Sequence, residues 1–197
     1  MNVRIVLAYD GASYHGWAEQ PDVPTVQGEV RRALGKLLAV EPATIQMQGA
    51  SRTDAGVHAQ GQVANVHHDT NRTEWDFVRG LNALTNDDIT VWRADEVDEQ
   101  FNARHHSRGK RYRYRIWPHR FADPLRRRQT WHVRAQLDVD AMRSAAAELV
   151  GTHDFTSFRA ADCQAKTTER KITRVEFVES DDGELVLWVE GTAFLKY

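Results

Sequence analysis

The chain has 197 residues, of which 41% are hydrophobic and 27% are charged, and its formal net charge is −2. This composition is ordinary for a soluble globular protein of one domain or two small ones, and no run approaches the ~20 apolar residues that a membrane span needs. The single cysteine, Cys163, excludes an internal disulfide, and the N-terminal residues do not resemble a signal peptide, so we expect a cytoplasmic protein.

The first half of the chain alternates strand-like and helix-like patterns. Apolar residues alternate in residues 3–11, which predicts a strand that ends in an Asp10-Gly11 turn. Residues 25–40 have apolar side chains at helical spacing, with Thr25 as the N-cap. The remaining predicted elements are strands at 44–50 and 61–68, a helix at 74–86 with Trp75, Val78, Leu81 and Leu84 aligned, and a strand at 88–97. This order, β-α-β-β-α-β, is the ferredoxin-like split motif.

The second half begins the same pattern. Residues 110–117 (KRYRYRIW) predict a strand with Tyr112, Tyr114 and Ile116 on one face and Arg111, Arg113 and Arg115 on the other. Asp138 is a candidate cap for a helix over 139–150, and residues 171–180 and 184–191 predict a β-hairpin. The predicted class is therefore α+β, with two ferredoxin-like halves, 1–100 and 101–197. They form a mixed or antiparallel sheet with helices on one side, and the second half lacks its final helix and strand.

Positive charge is concentrated in residues 104–128. This segment contains ten Lys and Arg residues and one acid, Asp123, whereas the rest of the chain contains 16 basic and 27 acidic residues. Such a cluster is attracted to polyanions, although many charged runs are simply solvated strand faces. The interleaved aromatic residues favour nucleic acid, since bases stack on aromatic rings. The candidate RNA contacts are Arg108, Lys110, Arg111, Arg113, Arg126, Arg127 and Arg128.

The turn at residues 49–58 (GASRTDAGVH) places one carboxylate, Asp54, between Arg52 and Gly56, just before a strand. A solvated Asp before a glycine is common in turns, so this feature alone is a weak indication of catalysis. Its position between two predicted strands, in a chain that also has a basic aromatic strand, makes Asp54 a candidate catalytic residue.

Six segments together resemble the tRNA pseudouridine synthase A family. They are YDGASYHGWAEQ (9–20), VPTVQGEV (23–30), RTDAGVHAQGQV (52–63), FNAR (101–104), KRYRYRI (110–116) and GTHDFTSFRA (151–160). They occur in the family's order and span nearly the whole chain. The resemblance implies isomerisation of uridine to pseudouridine at positions 38, 39 and 40 of the tRNA anticodon arm, without a cofactor. It also implies a homodimer that binds tRNA across both subunits.

The resemblance assigns catalysis to Asp54 and substrate contacts to Tyr112 and Arg52. An ionised carboxylate could attack C1′ of the ribose or assist loss of a C2′ proton through a glycal. The target base must leave its stack to reach the enzyme, and Tyr112 could then cover the uracil ring. Arg52 could fill the vacated place or pair with Asp54.

The chain departs from the family pattern in two places. Ser51 stands where the family usually has glycine, and the sequence stops at Tyr197, before a helix with a Met-Val-Arg motif and a closing strand. The alternative function is therefore a catalytically impaired tRNA-binding module, and a hydrolase that uses Asp54 as a base ranks last. The spacing of His58, His67 and His68 fits no zinc pattern, so we expect no metal. Phe155 and Phe158 are predicted to be core residues.

Overall fold

A computed structural model of the protein describes residues 1–163 and 165–196. The chain forms two compact units, Met1–Ser107 and Arg108–Tyr197, and each is described by itself. In the part of the chain that the structure describes, no helix is long and apolar enough to cross a membrane.

The first unit has the ferredoxin-like arrangement that the sequence predicts. Its strands lie in the order β2-β3-β1-β4, and every neighbouring pair is antiparallel. In chain order the elements are β1 (Asn2–Tyr9), α1 (Val26–Leu38), β2 (Gln46–Gly49), β3 (Ala59–His67), α2 (Glu74–Leu84) and β4 (Ile89–Val97).

The core of the first unit lies between one face of this sheet and the two helices. Alternate residues of β1 (Val3, Ile5 and Leu7) are buried, and α1 and α2 bury an apolar stripe against them. The predicted inner face of α2 is confirmed at Leu81, which is buried, but was wrong at Trp75, which is 64% exposed, because Phe77 occupies the buried stripe in its place.

Side-chain caps determine where the two helices begin. Thr25 Oγ1 accepts a hydrogen bond from the Gly28 amide at 3.2 Å, as the sequence predicts. Thr73 and Asp76 form a reciprocal capping box at the start of α2. Hydrogen bonds from the Thr73 amide and hydroxyl lower the pKa of Asp76, because they favour its charged form.

A buried asparagine pair fixes the segment that follows β4. Asn2 Nδ2 donates to the carbonyls of Asp98 and Phe101 at 2.9 and 2.8 Å. Asn65 Nδ2 donates to Asn2 Oδ1, and Asn65 Oδ1 accepts from the Ala103 amide at 2.9 Å. Because strand residues alternate between faces, Asn65 lies on the sheet face opposite the helices, and the 98–103 segment covers that face there.

The second unit contains a five-stranded mixed sheet in the order β6-β5-β9-β8-β7. Its elements are β5 (Lys110–Trp117), β6 (Trp131–His132), α3 (Val139–Ala147), β7 (Gly151–Asp154), β8 (Glu169–Glu179) and β9 (Leu185–Gly191). The predicted strand, helix and hairpin correspond to β5, α3 and β8–β9, and Asp138 caps α3 by accepting from the Ala141 amide. The short strands β6 and β7 were not predicted, and Phe158, predicted as core, is 56% exposed.

Candidate catalytic loop and nucleic-acid interface

Asp54 lies in the loop that joins β2 to β3, and its side chain is exposed, as is that of Arg52. Gly56 turns the loop back toward β3 with a φ of +78°, a conformation that favours glycine. The Val57 amide donates to the Asp54 carbonyl at 3.2 Å and closes this turn. The fold thus presents Asp54 to solvent at the end of the first sheet.

The residues after β1 bind this loop on both sides of Asp54. The Trp17 amide donates to the Thr53 carbonyl at 3.0 Å, and the Gly56 amide donates to the Tyr14 carbonyl at 3.2 Å. The Tyr9 hydroxyl and Thr53 Oγ1 share a hydrogen bond of 2.8 Å. Backbone contacts therefore restrain the loop immediately before and shortly after the carboxylate.

Two glycines of the same segment allow this close approach. A Cβ at Gly11 would lie 2.1 Å from the Val57 carbonyl oxygen, and a Cβ at Gly16 would lie 2.5 Å from the Thr53 carbonyl oxygen. Both distances are shorter than any real carbon–oxygen contact, so side chains there would push the two segments apart. We call residues 9–17, which hold the Asp54 loop, the cradle. The spacing of the glycines in its sequence, YDGASYHGW, is the signal from which it could have been predicted.

Tyr14 connects the cradle to the start of β4. Its hydroxyl donates to Asp88 Oδ1 at 2.6 Å and accepts from Asn86 Nδ2 at 3.2 Å. Burial of the ring, with the Asp88 hydrogen bond, raises the pKa of Tyr14 to about 12. The phenol therefore stays protonated and acts here as a structural donor.

Tyr112 belongs to the second unit, where it lies opposite Val189 of β9. Its half-buried ring packs edge-on against Phe194, with the ring centroids 4.8 Å apart. The alternation predicted for β5 is confirmed on the other face, where Arg111 and Arg113 both stack on Trp188 at 5.5 Å. Arg111 also forms an ion pair of 2.8 Å with Glu190.

Arg126 differs from the other basic residues of its segment because carboxylates surround it. Its guanidinium contacts Asp123, Asp182 and Glu184 and stacks on Trp117 at 4.5 Å. Glu184 is buried and also accepts a hydrogen bond of 2.7 Å from Arg115 Nη2. The hydrogen bond from Arg115 lowers the pKa of Glu184, despite its burial. Arg127, Arg128 and Arg108 are exposed, and Lys110 is half-buried.

Among residues 1–163 and 165–196, no group of three or more His, Cys, Asp and Glu side chains is arranged to bind a metal ion. His67 is instead paired with Glu99 at 3.3 Å.

Comparison with known proteins identifies the family. The model of a family described as tRNA pseudouridine synthase matches residues 5–106 and 145–197. Relatives named tRNA pseudouridine synthase A include the protein of Myxococcus xanthus, which is 48% identical over 196 residues, covering 99% of this chain and 72% of the relative. The Geobacter sulfurreducens protein is 46% identical over 195 residues, covering 98% of this chain and 78% of the relative. The chain therefore belongs to the tRNA pseudouridine synthase family.

Proposed function

We propose that this protein isomerises uridine to pseudouridine in tRNA, at positions 38, 39 and 40 of the anticodon arm. The observation that carries the proposal is the match to tRNA pseudouridine synthase A proteins over nearly the whole chain, at 39–48% identity. The alternative of a binding module without catalysis is not favoured, because the relatives carry the name of an enzyme.

The reaction rearranges bonds within one nucleotide. The bond between C1′ and N1 breaks, the uracil turns, and a bond between C1′ and C5 forms. C5 loses its proton and N1 gains one, so the product has the formula of the substrate. Because no electrons are gained or lost overall, the reaction needs no redox cofactor.

Asp54 is the proposed catalytic carboxylate, acting either by covalent attack at C1′ or through a glycal. Its exposed position on a loop restrained on both sides supports this role, because a reacting group must be accessible and held in place. We assign Tyr112 to the face of the flipped uracil and Arg52 to the space that the base leaves.

Six residues of the basic segment, five of them exposed and Lys110 half-buried, are the proposed phosphate contacts. Arg108, Lys110, Arg111, Arg113, Arg127 and Arg128 offer positive charge, and the aromatic residues among them offer stacking surfaces. Arg126 serves RNA binding indirectly, since its three carboxylate partners hold the segment in place. We also propose that the protein is a cytoplasmic homodimer, because a second subunit would widen the basic surface available to tRNA.

The test is release of tritium from a tRNA transcript labelled at C5 of uridine. Formation of the C1′–C5 bond expels the label into water, so the wild-type chain should release it. Transcripts that retain a single anticodon-arm uridine then identify the position. Failure to release label, with tRNA bound, would reject the enzyme in favour of the binding module.

The matched variant is Asp54→Asn, which preserves shape and removes charge. Tritium release should vanish while tRNA affinity stays within a few-fold of wild type, because the exposed side chain has little structural role. Retained turnover in this variant would refute the assignment of Asp54.

A further inference from the structure

His58 lies in the catalytic loop, four residues after Asp54 and immediately before β3. Its Nδ1 is 2.9 Å from Asp10 Oδ1 and 3.2 Å from the Gly11 amide nitrogen. Asp10 Oδ1 in turn accepts a hydrogen bond of 2.9 Å from the Ala12 amide. The imidazole therefore connects the loop to the turn that follows β1.

One ring nitrogen serves both contacts, and its proton decides which of them is a hydrogen bond. With a proton, Nδ1 donates to the Asp10 carboxylate; without one, it accepts from the Gly11 amide. Both partners belong to the same turn, so either state ties the same two segments together. The contact lies beside the place where the Gly11 backbone packs against the Val57 carbonyl so closely that a Cβ at Gly11 would not fit.

This side-chain contact complements the one on the other side of Asp54. Thr53 precedes the carboxylate and is held by the Tyr9 hydroxyl, whereas His58 follows it and is held by Asp10. The geometry points to His58 as a positioning residue, which with Asp10 keeps the Asp54 loop in its reactive arrangement. This inference rests on the proposed function, because it assigns His58 a part in delivering Asp54 to the ribose.

A positioning role predicts a specific kinetic effect. Displacing a reacting group by about an ångström slows the chemical step by up to roughly a hundredfold, while phosphate contacts elsewhere still bind the substrate. His58→Leu should therefore lower kcat by roughly ten- to a hundredfold and leave KM within about twofold. His58→Asn should recover most of the rate, because its amide nitrogen can occupy the place of Nδ1 and donate to Asp10.

A matched control lies at the other end of the same strand. His67 also faces a carboxylate, with Nδ1 3.3 Å from Glu99 Oε2. His67→Leu removes a similar pair away from the loop and should leave kcat unchanged. A double variant, Asp10→Ala with His58→Leu, should be slowed by less than the product of the two single effects, because either change by itself already breaks the pairing of Asp10 with His58.

Hydrogen exchange of the peptide covering residues 52–57 provides a readout that does not depend on activity. Exchange should be faster in His58→Leu than in wild type and nearly normal in His58→Asn, since the Gly56 amide donates to the Tyr14 carbonyl and the Val57 amide to the Asp54 carbonyl. Unchanged exchange in His58→Leu, or equal kcat reductions in the Leu and Asn variants, would overturn the inference. If the wild-type chain releases no tritium, the proposed function fails, while the exchange experiment still decides whether His58 holds the loop.

Discussion

In the role proposed for Tyr112, its ring and its hydroxyl contribute separately to binding of the uracil. Tyr112→Phe keeps the edge-on packing against Phe194 and should cost about 1 kcal/mol in kcat/KM, the contribution of one hydrogen bond to substrate. Tyr112→Ala also removes a stacking surface worth about 1–3 kcal/mol for a base, so its effect should be much larger. Both variants would be compared by tritium release, with thermal unfolding measured in parallel to detect destabilisation. Equal effects of the two variants would show that the ring is not a stacking surface for the uracil.

The sequence was sufficient to propose Asp54 as the catalytic residue. An acid between an arginine and a glycine in a turn is a local pattern, and the surrounding residues resemble the tRNA pseudouridine synthase A family. The contacts that restrain the loop were not accessible in the same way. Thr53 meets the Tyr9 hydroxyl across 44 positions of sequence, and Asp10 meets His58 across 48. Such pairs depend on which strands become neighbours, and local patterns do not determine that.

At the scale of elements, Glu184 connects the β8–β9 turn to β5 and to the basic segment. In the folded protein, hydrogen bonds from Arg115 hold the pKa of Glu184 below its ordinary value of 4.5. A group whose pKa is lowered by folding stabilises the protein above its unfolded pKa, and that contribution disappears as pH falls through the folded value. Glu184→Gln should therefore reduce the free energy of unfolding by about 1.5–3 kcal/mol at neutral pH.

Urea unfolding between pH 7 and pH 3 would check this expectation. The difference between wild type and Glu184→Gln should be constant down to about pH 4.5 and shrink below it. Asp140→Asn is the control, because Asp140 is 94% exposed beside Arg143 and should contribute nothing measurable. If the difference in unfolding free energy between wild type and Glu184→Gln did not depend on pH, the charge of Glu184 would not be what stabilises its contacts with Arg115 and Arg126.

Elements with local signals were predicted well, and those that depend on tertiary packing were not. α1 has a capping threonine and a full apolar stripe, and the β8–β9 hairpin has Asp181-Asp182-Gly183 between alternating strands. β6 contains two residues and exists through its pairing with β5, so no periodicity could indicate it. In α2, Trp75 and Phe77 both suit an apolar stripe, and the packing against α1 and the sheet selects Phe77.

At the scale of the whole molecule, the contrast between a basic segment and an acidic remainder predicts strongly salt-dependent binding of tRNA. Each neutralised phosphate contributes a slope of roughly −0.7 to −0.9 to the plot of log affinity against log salt. Arg127→Gln with Arg128→Gln should make the slope shallower by roughly 0.7–0.9 for each phosphate that is no longer neutralised. Filter binding or anisotropy at several salt concentrations would measure it.

Arg126→Gln is the matched comparison within the same run of arginines. Its guanidinium faces three carboxylates, so the slope should stay the same even if affinity falls through disorder of the segment. A change in slope as large as that of the Arg127 and Arg128 pair would place Arg126 directly on a phosphate.

The buried tryptophan that packs beneath the Asp54 loop also has a spectroscopic consequence. Trp17 is 2% exposed, stacks on Tyr9 with 6.0 Å between ring centroids, and lies so close to Gly49 that a Cβ there would be 2.4 Å from its indole nitrogen. Trp75, Trp92 and Trp131 are all more than half exposed. An aqueous quencher such as iodide therefore reaches those three indoles most readily, whereas Trp117 and Trp188 are half-buried and Trp17 is the best shielded of the six. The protein thus contains its own fluorophore beneath the loop, shielded from the solvent that bathes Asp54.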